Sequence, residues 1–257
     1  MGAAIRVNAR AALYSEVRLT RSFSEVLLII VVATLLALNM LLYAGRYAGV
    51  IVGEHAINGR NAAASSATAA TRAEQDASDA LPGRFVASQG RNHTLPYPVK
   101  PGVPFCAPNA IASDCYASNP PSSGLHLPVE PLVPLPDGHR LKIPPDPGVY
   151  DFAIPREAIP HIEEHAGVYV GYNCAADDCR ATVERLKNVV TQEVSLGTRV
   201  VLSPDPDLDP DSIGIAAWTR VDDFPASDYT DARVRKFIKA HSCRFDPETF
   251  CPTTPVN

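Results

Sequence analysis

Gly167-Val168-Tyr169-Val170-Gly171-Tyr172, followed by Cys179-Arg180-Ala181-Thr182-Val183-Glu184-Arg185-Leu186-Lys187-Asn188-Val189-Val190, is the stretch on which the fold class turns. The first segment reads as a strand. In the second, Val183, Leu186, Val189 and Val190 recur at helical spacing, so Cys179 to Val194 is predicted to be an amphipathic helix. Downstream, Arg199 to Leu202 reads as a short strand and Pro204 to Pro210 as a loop. Ile213 to Thr219 reads as a strand carrying the only tryptophan, Trp218. Ser227-Asp228 can cap a helix from about Tyr229 to Ala240. The order βαββα fits a small α+β domain, one sheet covered by helices.

Upstream of this core the character changes. From Leu95 to Pro160 proline is frequent, which excludes central strands and long helices. The segment is expected to wrap the core as an extended, disulfide-stapled belt. Pro155 to His165 reads as a short helix, although Pro160 falls inside it. Residues Ala56 to Ala80 are rich in Ala, Ser and Thr and read as a helical stalk or a loose linker that ends at Pro82-Gly83.

Val26 to Ala44 is a nearly unbroken apolar run, interrupted by Thr34 and Asn39. A bilayer core needs about 20 such residues, and a signal-peptide core is about 7–15 residues long. An uncleaved transmembrane helix is therefore expected. Arg6, Arg10, Arg18 and Arg21 precede it, which places the N-terminus in the cytoplasm and the bulk of the chain outside. The expected organisation is a basic cytoplasmic arm over 1–24, a transmembrane helix over 25–53, an Ala-rich stalk or linker over 54–90 and an extracytoplasmic α+β domain over 91–257. Gly45, Gly49 and Gly53 form a small-residue ridge suited to packing against another membrane helix, so other integral membrane subunits are expected partners.

All six cysteines follow the apolar run, in close pairs: Cys106 with Cys115, Cys174 with Cys179, Cys243 with Cys251. An even count on the oxidising side of a membrane points to disulfides. Six cysteines allow 15 connectivities, and proximity favours the three local ones. No spacing is CxxC, which argues against a cysteine–zinc site. The net charge of −5 and the lack of a basic stripe with interleaved aromatics exclude nucleic acid as a partner.

The chemistry lies in the histidines. His161-Ile162-Glu163-Glu164-His165 puts two imidazoles at i and i+4, about 6 Å apart at Cβ on one helix face. Pro120-Pro121-Ser122-Ser123-Gly124-Leu125-His126 holds another on a proline-braced loop, and His93 lies close before Pro96 and Pro98. His93, His126, His161 and His165, with Glu164 or Glu163 in support, form a candidate metal set. Imidazole suits zinc, copper, iron and nickel, and outside the cytoplasm copper or zinc is the expected ion. The competing reading is that these histidines satisfy buried backbone groups.

No catalytic residue is assigned. The HxxEH order lacks the long helices of the zinc proteases, and Ser122-Ser123-Gly124 lacks a strand–elbow–helix setting. Asp205, Asp207, Asp209 and Asp211 alternate like calcium ligands but lack the bend glycine and distal glutamate of an EF-hand.

Pro120 to His126, Gly148-Val149-Tyr150-Asp151, His161 to His165 and Ala217-Trp218 follow in the order PPTSGPHYP, GVYD, HxLEHG and AWG. In this the chain resembles a bacterial family catalogued as domain of unknown function 3105, over about Arg91 to His241. The resemblance implies a membrane-anchored extracytoplasmic protein of the bacterial inner membrane and supplies no activity. Within the histidine helix the chain departs from the pattern twice: Glu163 stands where the family has leucine, and Ala166 where it has glycine. Two function classes follow, an anchored protein with a histidine metal site and a non-catalytic accessory subunit of a respiratory or photosynthetic membrane complex. A metal-dependent hydrolase is a further alternative.

Overall fold

The computed structural model describes residues 27–41, 43–44, 67–93, 102–107 and 114–251. The basic arm and Gly45, Gly49 and Gly53 lie outside these residues. The chain divides into two units, Met1–Gly59 and Arg60–Asn257. In the first, residues 27–41 and 43–44 of the apolar run are helical, with their large apolar side chains exposed. Among the described residues no helix is long and apolar enough to cross a membrane.

The second unit is a mixed α+β domain around a six-stranded sheet. Its strands are β1 (Arg84–Phe85), β6 (Gly148–Val149), β7 (Val168–Asn173), β8 (Val200–Pro204), β9 (Ser212–Ala217) and β10 (Arg220–Pro225), in the order β1-β10-β9-β7-β8-β6. β7, β8 and β6 run parallel, and the remaining pairs are antiparallel. A 19-residue helix, α3 (Asp177–Ser195), makes the crossover that the parallel β7–β8 pair requires.

Side chains alternate across the sheet as the two-residue period of a strand dictates. Val168 and Val170 face α3 and α4 (Asp231–His241), packing with Leu186, Val189, Val190, Val234, Phe237 and Ile238. Each such buried side chain contributes about 1.5–3 kcal/mol. Tyr169 and Val201 point to the opposite face, against Leu127, Leu141, Ile143, Ile159 and Ile162. The proline-rich belt covers that second face. It contains β2 (Arg91–Asn92) paired in parallel with β3 (Gly124–Leu125), and a hairpin of β4 (Glu130–Pro134) and β5 (Arg140–Ile143). The expected disulfides Cys106–Cys115, Cys174–Cys179 and Cys243–Cys251 are present.

Three expectations need correction. A strand was missed: β10 follows β9 in a tight hairpin, so the order is βαβββα. Trp218 sits in the turn of that hairpin rather than in the strand. There it stacks on Phe245 at 4.6 Å and donates to Glu74 at 3.1 Å. The cap of α4 is Thr230, whose side chain accepts from the Arg233 amide, and not Ser227-Asp228.

Part of the stretch expected as a stalk or linker is fastened to the domain. Residues 67–75 are helical (α1), Ala70 is buried against Trp218 and Phe245, and β1 pairs with β10. The Arg220 guanidinium, 1 % exposed, donates to the carbonyls of Asp76, Ser78 and Gly83. A buried cation caged by three carbonyls on a loop holds that loop firmly.

Candidate functional site

The site is built on α2 (Ile159–Glu164), which follows a 3-10 turn over Arg156–Ala158. Pro160 lies in the first turn, where its missing N–H has no helical partner to lose. That position removes the conflict noted in the sequence. The helix stops in a Schellman motif: Gly167 N–H donates to Ile162 O and Ala166 N–H to Glu163 O. Ala166 takes the left-handed conformation this motif requires, with φ 65°.

His126 arrives from the belt. Its N–H donates to Asn92 O at 3.0 Å, and the β2–β3 pairing sets His93 beside it, ring centroids 4.3 Å apart. The serines of this loop are structural. Ser123 Oγ accepts from the Gln89 amide, and Ser122 Oγ bonds with Ser118 Oγ.

His93, His126 and His161 each bring a ring nitrogen within 4.8 Å of the others. The rings of His126 and His161 are fully buried, whereas His93 is 39 % exposed. Nδ1 of His126 donates to Gly124 O at 2.7 Å, and Nδ1 of His161 to Leu127 O at 2.7 Å. A carbonyl oxygen only accepts, so both Nδ1 atoms carry the proton. Each Nε2 is left for another partner: that of His126 meets Glu164, and that of His161 meets His165. Such Nδ1–H bonds are how histidine ligands are oriented around metals.

Glu164 Oε2 lies 2.9 Å from His126 Nε2 and 3.2 Å from His93 Nε2, and Oε1 lies 3.5 Å from Arg91. Burial alone would raise this carboxyl, but the hydrogen bond and charge of His126, with His93 and Arg91, hold it below its ordinary range. A lone-pair nitrogen and a carboxylate oxygen at this distance need a cation between them, a proton or a metal ion. In a tetrahedral shell with bonds of about 2.0–2.1 Å, ligand atoms stand about 3.3–3.4 Å apart. The 3.2 Å between Glu164 and His93 is close to that, whereas the 2.9 Å between Glu164 and His126 is hydrogen-bond length.

His165 is set one step away. Its Nε2 lies 3.1 Å from Nε2 of His161 and 3.3 Å from Glu248. Phe250 stacks on its ring at 4.0 Å. Burial, reinforced by the neighbouring imidazoles, pushes His161 down to about 3. Burial likewise lowers His165 to about 4, against the pull of Glu164. Both rings are neutral at physiological pH. Glu163 points away from the cluster's hydrogen bonds: it is 1 % exposed, and no donor among the described residues reaches either oxygen. The sulfurs of Cys174 and Cys179 also lie near Asp211, but they are joined in a disulfide.

The family model described as "Protein of unknown function (DUF3105)" matches residues 112–253. The chain belongs to this family. The DUF3105 match contains His126, His161, Glu164, His165 and the Cys243–Cys251 loop, and His93 precedes it. It starts later and ends later than the resemblance read from the motifs. No curated protein and no solved structure matches the chain.

Sequence reasoning missed Arg91 and Glu248. Arg91 carries no local signal, being two residues before His93 on a strand of only two residues. Glu248 had one: it lies inside the short Cys243–Cys251 loop, a fixed loop with an exposed acid.

Proposed function

We propose that this is a membrane-anchored extracytoplasmic protein that binds a copper or zinc ion through His93, His126 and His161, with Glu164 beside them. The observation that carries the reading is that His93, His126 and His161 each bring a ring nitrogen within 4.8 Å of the others, while the Nδ1–H bonds of the two buried rings to Gly124 O and Leu127 O leave their Nε2 atoms to act as ligands. The donor set is nitrogen and oxygen. All six cysteines are in disulfides and the only methionines are Met1 and Met40, so the soft sulfur ligands that favour copper(I) are lacking. Copper(II) and zinc suit what remains.

Metal content of the full chain, purified in detergent, stripped and reloaded with Cu²⁺ or Zn²⁺, tests this. About one tightly held ion per chain is expected, lost in His126→Ala and in His161→Gln. A wild-type chain that retains no more ion than these variants overturns the reading.

Anchoring rests on the apolar run Val26 to Ala44 and the arginines before it. It puts the N-terminus inside and the domain in the periplasm of the bacterial inner membrane. Labelling engineered surface cysteines from either side tests it, and a C-terminal domain reached only from the cytoplasm refutes it.

The second reading, an accessory subunit of a larger membrane complex, is favoured by the register of Gly45, Gly49 and Gly53. It is compatible with metal binding. Gly49→Leu should then reduce co-purification with the partner and leave the external domain folded. A metal-dependent hydrolase would use the fourth position that three histidines leave open, with Glu164 as the nearby base.

A further inference from the structure

We propose that His165 and Glu248 form an outer landing position for the ion, and that His161 is a shared ligand that passes it inward to His93 and His126. This deepens, and rests on, the metal-binding reading above.

The argument starts from the number of lone pairs. His161 has committed Nδ1 to Leu127 O, so it can bind one ion at a time, through Nε2. It nevertheless has nitrogen neighbours on two sides. On one side stand His93 and His126. On the other stands His165, its Nε2 3.1 Å away and itself 3.3 Å from a Glu248 oxygen. One ion cannot be held by both sets at these positions, because His165 and Glu248 fall outside the group whose ligand atoms lie within 4.8 Å of one another. Two sets of donors that share one ligand permit exchange without release of the ion.

Exposure gives the direction. The Glu248 side chain is 43 % exposed, His165 is 9 % exposed by its side chain and His161 is fully buried. On this side of the cluster an arriving cation therefore meets a solvent-facing carboxylate first, then a nearly buried imidazole, then a fully buried one. The landing position is also held in place. The Cys243–Cys251 disulfide closes the loop, and Asp246 accepts from the amides of Phe250 and Cys251 at 2.8 and 2.9 Å. Phe250 fixes the plane of His165, and Arg199 covers Phe250 while donating to His165 O.

No bond other than metal–ligand bonds changes in the transfer, and the ion keeps its charge. It leaves Glu248 as it gains His161, and leaves His165 as it gains His93 and His126, so at least one imidazole stays bound throughout.

The test uses the full chain in detergent, metal-free, mixed in a stopped-flow instrument with Zn²⁺ buffered by a chromophoric chelator. Glu248→Gln is expected to slow loading about tenfold or more, the low end of what a steering charge achieves, with equilibrium Zn²⁺ affinity unchanged within about twofold. His165→Asn should slow loading in the same way. Because Glu248 is exposed, its variant keeps the test valid even where the buried His165 substitution fails to fold. Tight Zn²⁺ binding with wild-type loading rates in Glu248→Gln overturns this proposal alone and directs attention to the exposed His93 side. Failure of the wild-type chain to bind Zn²⁺ or Cu²⁺ overturns the metal reading and this proposal together.

Discussion

Cys243 donates its backbone N–H to the carbonyl oxygen of Ala166 at 2.9 Å, and both residues have positive φ. The bond ties the C-terminal loop, with Glu248 and Phe250, to the end of the helix that carries His161 and His165. Two left-handed residues meeting at one hydrogen bond fix the geometry on both sides of the histidine cluster.

Ala166 sits at φ 65°, which costs an L-residue about 1–2 kcal/mol. Glycine is free of that cost but loses a buried methyl and gains disorder in the unfolded chain. Ala166→Gly should therefore raise unfolding stability by about 0.5–1 kcal/mol in denaturant titrations. A loss of stability would show that the methyl's packing outweighs the backbone strain.

Glu163 is buried with no hydrogen-bond donor among the described residues, and burial pushes its carboxyl well above the ordinary range despite the charge of Arg244. A raised carboxyl costs stability as pH rises above its unfolded value near 4.5. Glu163→Leu should stabilise the domain by about 1–3 kcal/mol at pH 8, with the gain shrinking toward pH 4. An equal gain at both pH values would show that packing rather than ionisation is responsible.

His241 donates Nε2–H to Pro82 O at 2.8 Å, and burial lowers its folded pKa to about 4. The unfolded chain then binds more protons between about pH 6.5 and 4. Stability that is complete above pH 6.5 is lost as pH falls through this window, by an amount on the order of 3 kcal/mol at its lower end. His161 and His165 act in the same direction in metal-free protein, while Glu163 and Asp205 act oppositely. The comparison of wild type with His241→Gln at pH 7 and pH 4.5 isolates the residue. The variant should lose less on acidification, and identical losses would exclude His241 as a source.

The Cys243–Cys251 disulfide closes a short loop on the site. Replacing both cysteines with serine should cost about 2–4 kcal/mol and raise hydrogen exchange across 244–250. Unchanged exchange would mean that Asp246 and the Phe250 stack suffice to hold the loop.

The elements with strong local periodicity were legible in the sequence. The α3 face of Val183, Leu186, Val189 and Val190 and the strands β7 and β9 carry their burial pattern in consecutive residues. β10 was not legible, because Arg220-Val221-Asp222-Asp223-Phe224-Pro225 looks like polar surface. Arg220 is buried only because three carbonyls from the 76–83 stretch cage it, and nothing beside Arg220 in the chain announces that. Within the site, the i, i+4 spacing sets His161 and His165 side by side, His126 comes in from the belt, and His93 follows β2, ahead of the stretch read as belt. The spacing did not show that His165 would turn toward Glu248. That depends on where a distant disulfide loop comes to rest.

The edges of the six-stranded sheet have one more consequence. Among the described residues β1 covers only Arg220 and Val221 of β10, and the rest of that edge has no strand partner. That open portion carries Asp222 and Asp223 and ends in Pro225, and Arg233 engages both oxygens of Asp222. A second chain adding there as a strand would have to desolvate carboxylates, break a two-pronged ion pair and meet a proline with no N–H to offer. The same residues that hid β10 in the sequence protect the folded domain from templated aggregation.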